Sequence, residues 1–134
     1  MTPGEIVKMD KILRILILED SRTDAELLEY ELQTADLAYR AKRVMTKNEF
    51  ITALREFSPD LIISDYDLPQ YDGAAALAAA RAWRPEVPFI LVSGAVEEGR
   101  AQEIMAGGAR DYIAKDRLSQ LVPAIERALA ANYN

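Results

Sequence analysis

The sequence predicts an α/β sandwich built on a mainly parallel five-stranded sheet. Three observations carry that expectation. Short apolar runs rich in β-branched residues alternate with helical patterns along the chain. The central runs are continuous rather than alternating, as in strands covered on both faces. The chain has 134 residues and 50% hydrophobic content, enough for one domain with a real core.

Each element can be taken in order. Residues 1–10, "MTPGEIVKMD", lack periodicity and read as an N-terminal extension, which leaves 11–134 as the folded domain. Ile12 to Leu18 is the first strand. Ala25, Leu28, Leu32 and Ala35 recur at helical spacing and predict a helix over 23–34. Residues 38–44, "AYRAKRV", form a weaker strand expected at an edge, and its basic run Arg40-Ala-Lys42-Arg43 reads as a solvated face. Thr46 is placed to cap a helix that carries Phe50, Ala53, Leu54 and Phe57 and stops at Ser58-Pro59.

The second half repeats the alternation. Leu61 to Ile63 is the third strand, and Asp72-Gly73 reads as a turn before an alanine-rich helix over 74–83. Pro88 to Val92 is the fourth strand, followed by a helix over 97–106 that runs into Gly107-Gly108. Tyr112 to Ala114 is a short fifth strand. Leu118, Leu121, Val122, Ile125 and Leu129 make one stripe of a last helix, with Pro123 in its first turns. Asp116 is placed to cap that helix.

Composition removes several function classes. There is no cysteine and no histidine, so thiol chemistry, cysteine metal sites and histidine base catalysis are excluded. A metal would have to be held by oxygen, which points to Mg²⁺ or a similar hard ion. The net charge of −6 argues against broad binding to nucleic acid or anionic lipid. No signal peptide is apparent and no apolar segment approaches membrane-spanning length, so a cytoplasmic location is expected.

Ligands of parallel α/β sheets bind beyond the carboxyl ends of the strands. At those ends the sequence places Glu19-Asp20, Asp65, Ser93 and Lys115. The acids can jointly hold a divalent cation, and Asp65 is a candidate nucleophile because carboxylates form acyl phosphates. Lys115 and the Ser93 hydroxyl could neutralise and hydrogen-bond phosphoryl oxygens.

Four segments, "ILILEDS", "LIISDYDLPQYDG", "FILVSGA" and "GARDYIAKD", occur in an order and spacing that resemble the receiver domain of two-component response regulators. The resemblance covers about residues 12–131 and implies a flavodoxin-like (βα)5 sandwich of strand order 2-1-3-4-5. It implies that Asp65 is the phosphoacceptor and that Glu19 and Asp20 are the acidic pair, with Asp20 the closer Mg²⁺ ligand. It further implies that Asp67 offers its backbone carbonyl to the metal, that Ser93 and Tyr112 form a switch pair, and that Lys115 binds the phosphoryl group. By the same resemblance, Asp67 and Ala95 fall at positions that tune phosphoryl lifetime in the family. The family's usual proline after the lysine is replaced by Asp116, so a trans bond is expected there.

The implied function is a phosphoacceptor module of a phosphorelay, receiving a phosphoryl group from a histidine kinase or histidine phosphotransfer protein. It is not an enzyme beyond its own phosphorylation and slow dephosphorylation. Residues 94–131 would then change conformation, control a downstream partner and offer a homodimer face. With no output domain in sight, a stand-alone receiver and a piece of a hybrid kinase are both expected forms. Two other functions fit less of the chain. A pseudo-receiver would share the fold without needing phosphate. An aspartyl-nucleophile phosphatase would use Asp65-Tyr66-Asp67 as a D-x-D motif, although that motif normally ends a first strand.

Overall fold

A computed structural model of the chain describes residues 12–66, 68, 71–94 and 98–133. The expected extension over 1–10 and the site position Asp67 lie outside the described residues. The strands are β1 (Leu13–Leu18), β2 (Tyr39–Val44), β3 (Leu61–Asp65), β4 (Phe89–Ser93) and β5 (Asp111–Ala114). The helices are α1 (Arg22–Thr34), α2 (Lys47–Glu56), α3 (Gly73–Trp83), α4 (Glu98–Ala106) and α5 (Leu121–Tyr133). The strands form one sheet in the order β2-β1-β3-β4-β5, and every neighbouring pair is parallel. That is the predicted architecture, and β2 lies at the predicted edge.

Pleating sends alternate residues to opposite faces, and both faces are apolar in the inner strands. Leu16, Leu18, Ile62, Phe89 and Leu91 face a layer made by Phe50 and Leu54 of α2, Ala76 and Leu77 of α3, and Ile104 of α4. Ile15, Ile17, Ile63, Val92 and Ile113 face the other layer, made by Leu28 and Leu32 of α1 and Leu121 and Ile125 of α5. Full burial of one such side chain contributes about 1.5–3 kcal/mol, so these two layers are the main stabilising term. Two alanines of α3, Ala76 and Ala80, serve close packing and are buried in the layer on the sheet, while Ala74, Ala75, Ala78 and Ala82 are exposed.

Helix ends are set by local chemistry. The Ser21 side chain accepts a hydrogen bond from the Asp24 N–H and starts α1. Thr46 and Glu49 form a reciprocal capping box at α2, as the Thr46 prediction required in part. The Arg84 guanidinium donates to the carbonyls of Leu54 and Arg55 and satisfies the far end of α2.

Four details differ from the sequence reading. Ile12 is exposed and precedes the strand instead of starting it. Asp72 is the N-cap of α3, accepting from the Ala75 N–H at 2.7 Å, a more specific role than a turn. The last helix begins at Leu121, and Asp116 and Leu118 belong to a 3-10 segment, Lys115–Gln120, so Asp116 does not cap it. The apolar side of α5 is Leu121, Ala124, Ile125 and Ala128, with Leu129 packed beside them. Arg117 leaves helical geometry inside that segment, and this kink lets Leu118 reach the α1–α5 layer from a separate turn.

Candidate functional site

The site is assembled by strand register. β1 ends at Leu18, and Glu19 continues the ladder by donating its N–H to the Val44 carbonyl at 3.1 Å. β3 ends on Asp65, which is paired with Val92 of β4. β4 ends on Ser93, paired with Ala114 of β5, and Lys115 follows at once. All strands run the same way, so all four exits share one edge of the sheet.

Four of the predicted residues meet there. Glu19, Asp20 and Asp65 each offer a carboxylate oxygen within 4.8 Å of the others. Lys115 Nζ lies 3.2 Å from Glu19 Oε1 and 3.2 Å from Asp65 Oδ2. Glu19 and Asp65 are buried, with 1% and 6% of their surface exposed, so their charges act through protein more than through water.

The electrostatics follow from that crowding. Burial pushes the Glu19 carboxyl up to about 8, and hydrogen bonding to Asp65 and its charge add to the rise, against the opposing pull of Lys115. Lys115 moves the other way from what burial alone would do. Burial lowers its affinity for a proton, but the hydrogen bond to Asp24 and the charges of Glu19 and Asp65 outweigh it and hold the ammonium above the ordinary lysine range. One ammonium does not neutralise the acids that surround it.

The residues suit a hard divalent ion. All three converging donors are carboxylates, the ligand type such ions prefer. Glu19 Oε2 is buried and has no hydrogen-bond partner among the described residues, which leaves it a lone pair to offer.

Ser93 and Tyr112 occupy a different row. Leu91 pairs with Tyr112 and Ser93 with Ala114, so Tyr112 and Ser93 share the sheet face toward α2, α3 and α4. Ser93 is fully buried, and its hydroxyl also lacks a hydrogen-bond partner among the described residues. Tyr112 is half-buried and packs on the edge of that same layer. The peptide bonds of the described residues are all trans, including Lys115–Asp116.

Three residues at the site carried no functional expectation. Asp24, in the first turn of α1, accepts from Lys115 at 2.6 Å, the shortest of the three carboxylate contacts to that ammonium. The hydrogen bond from Lys115 holds the Asp24 carboxyl below the usual carboxylate range. Arg43, read as part of a solvated basic run, donates to the carbonyls of Glu19 and Asp20, both at 2.9 Å. It fixes the backbone that carries the acidic pair. Gly73 lets α3 approach the end of β3: a Cβ there would stand 2.9 Å from Tyr66 Cα and 3.2 Å from the Asp65 carbonyl.

Comparison with known proteins agrees with this fold. The family of the response regulator receiver domain matches residues 15–126. The chain belongs to that family.

The chemotaxis protein CheY of Listeria monocytogenes is 25% identical over 118 residues, covering 87% of this chain and 98% of that protein. The regulatory protein AtoC of Escherichia coli is 31% identical over 125 residues, and the two-component response regulator ORR1 of Oryza sativa is 27% identical over 131 residues. Each match covers 90% of this chain, which spans only 26% of AtoC and 57% of ORR1. The CheY-like receiver domain of Methanospirillum hungatei superposes with a TM-score of 0.81 at 23% identity, covering 92% of this chain and 98% of that one. The response regulator domain of Thermotoga maritima CheB gives a TM-score of 0.75 at 25% identity, again with 92% and 98% coverage. No helix among the described residues is long and apolar enough to cross a membrane.

Proposed function

We propose that this receiver domain accepts a phosphoryl group on Asp65, with Mg²⁺ held by Glu19, Asp20 and Asp65, and that the modified site changes the 94–131 face. The observation that carries the reading is the position of Asp65. It is a buried carboxylate at a strand end, 3.2 Å from an ammonium and within 4.8 Å of two further acids. A purely structural acid would not be buried among others of its own charge.

The chain's residues divide the work. An Asp65 oxygen attacks the phosphorus of a phosphohistidine on a partner protein. The new O–P bond forms as the N–P bond breaks, and the imidazole keeps the electron pair and takes up a proton. Residues 1–134 contain no histidine, so the phosphohistidine lies outside this domain. Mg²⁺, when bound, supplies charge neutralisation for the phosphoryl oxygens. Lys115 offers its ammonium to one phosphoryl oxygen and the Ser93 hydroxyl donates to another. Asp67 gives its backbone carbonyl to the ion in the family's pattern, and its side chain and Ala95 tune how long the phosphoryl group stays.

The partners that follow are a histidine kinase or histidine phosphotransfer protein upstream and an effector downstream, met in the cytoplasm. Residues 94–131 are the face for that effector or for a second copy. The whole of 11–134 acts as one signalling module, without direct contact to nucleic acid or membrane. The test is incubation with a small phosphodonor and Mg²⁺, read by intact mass. The protein gains one phosphoryl group, and Asp65→Asn, which keeps the fold, gains none. A robust gain in Asp65→Asn overturns the assignment of the acceptor.

A further inference from the structure

We propose that Asp24 is a positioning residue that competes with the phosphoryl group for Lys115, so that the charge of Asp24 sets how strongly the site holds its anion. The inference rests on the phosphoacceptor reading above and adds a residue that the reading does not use.

An ammonium has three N–H donors and no acceptor. In this structure Lys115 directs contacts to three carboxylates: Asp24 at 2.6 Å, and Glu19 and Asp65 at 3.2 Å each. Two of the three belong to the group that converges on a metal position, and Asp24 does not. A divalent ion among Glu19, Asp20 and Asp65 therefore draws two acids away from Lys115 and leaves Asp24 as its remaining carboxylate.

Asp24 is well placed for that role. Its backbone N–H is tied to the Ser21 side chain at 3.2 Å, in the first turn of α1. A helix N-terminus favours a negative charge, so the carboxylate stays ionised and stays put. The Lys115 side chain lies in a small hollow with Leu28, Val92 and Leu118 beside Asp24. From that apolar support the ammonium reaches both the partly exposed Asp24 and the buried Asp65.

The two states make opposite demands. Without a phosphoryl group, Asp24 takes part of the ammonium's charge away from Glu19 and Asp65, which favours the divalent ion. With a phosphoryl group on Asp65, Asp24 takes part of the same charge away from the anion, which weakens its hold. Neutralising Asp24 should therefore move metal binding and anion binding in opposite directions. Damage to the fold would move both the same way.

The experiment is calorimetric titration of the whole chain with Mg²⁺, and then with beryllofluoride at saturating Mg²⁺. Asp24→Asn is expected to weaken Mg²⁺ binding and to tighten beryllofluoride binding, each by about threefold, in keeping with a partly exposed ion pair. Asp24→Glu, which keeps the charge, is expected to restore both toward wild type. In a Lys115→Gln background the Asp24→Asn effect on beryllofluoride should largely vanish, since no ammonium remains to be shared. Equal affinities in wild type and Asp24→Asn overturn the inference and leave the phosphoacceptor reading standing. So does weakening of both ligands together. An undiminished effect in the Lys115→Gln background shows that Asp24 acts as a bare charge and also overturns it. A wild-type protein that binds no beryllofluoride with Mg²⁺ overturns the phosphoacceptor reading, and the inference falls with it.

Discussion

Glu19 and Lys115 are 96 residues apart in the chain and 3.2 Å apart in space. One follows β1 and the other follows β5, so their contact reaches across the ends of β3 and β4 and spans four of the five strand ends. The ammonium offsets charge that the buried acids could not otherwise carry. Lys115→Met leaves Glu19 and Asp65 without it and is expected to destabilise the metal-free protein by about 1–3 kcal/mol, less than a rigid buried pair because Glu19 already holds a proton near neutral pH. Urea unfolding in EDTA measures the loss. Millimolar Mg²⁺ should recover part of it, and a variant as stable as wild type would remove the charge-balancing role.

Mg²⁺ itself should raise the melting temperature near neutral pH. A ligand that binds only the native form stabilises by mass action, about 2.7 kcal/mol at 100 times its Kd. The three converging acids are the reason to expect it. The shift should shrink in Asp20→Asn. A melting temperature that does not move across millimolar Mg²⁺ would argue against the site as a metal site.

The pH dependence of the metal-free protein follows from Glu19. Its folded value of about 8 lies above the ordinary 4.5, so the native form holds a proton that the unfolded chain has released between those two values. This group's contribution to stability is full below about pH 4.5 and is lost as pH rises to about 8. In EDTA, melting temperature should therefore fall across that window, and Glu19→Gln should flatten the fall. An identical slope in wild type and Glu19→Gln would assign the dependence to other groups.

Arg43 gives a prediction about the backbone rather than the charge. Its guanidinium holds the carbonyls of Glu19 and Asp20 from the edge strand β2. Arg43→Ala should loosen the acidic pair and weaken Mg²⁺ binding, at a cost of about 1 kcal/mol in stability. Arg43→Lys should recover little, because an ammonium is a single point donor where the guanidinium spans two carbonyls. Unchanged Mg²⁺ affinity in Arg43→Ala would make the contact incidental.

Much of this site could be read along the chain because strand exits are local facts. Asp65, Ser93 and Lys115 each sit where an apolar run stops, and a parallel sheet brings such stops to one edge. Asp24 and Arg43 could not be read that way. Asp24 looks like any acid in the first turn of a helix, and its partner lies 91 residues away. Arg43 lies on a half-exposed edge strand whose pattern carries no sign of what its long side chain reaches. Leu118 reads as part of the last helix because it continues that helix's apolar spacing, while the kink at Arg117 puts it in a separate turn.

The switch can be tested through Ser93. Its buried hydroxyl has no partner among the described residues and shares a sheet face with Tyr112, so a new acceptor at Asp65 would give it one and alter the space beside the ring. Ser93→Ala should still become phosphorylated yet lose much of the response. Amide hydrogen exchange with and without beryllofluoride measures this over residues 94–118. The same change in wild type and Ser93→Ala would show that the serine is not the relay.

The central claim is that Asp65, among several neighbouring acids, is the atom donor to phosphorus. The most direct measurement traps the acyl phosphate with borohydride after treatment with phosphodonor and Mg²⁺, then locates the reduced residue by peptide mass mapping. The account predicts reduction at Asp65 alone. Reduction at Asp20, Asp24, Asp67 or Asp72 instead would contradict it.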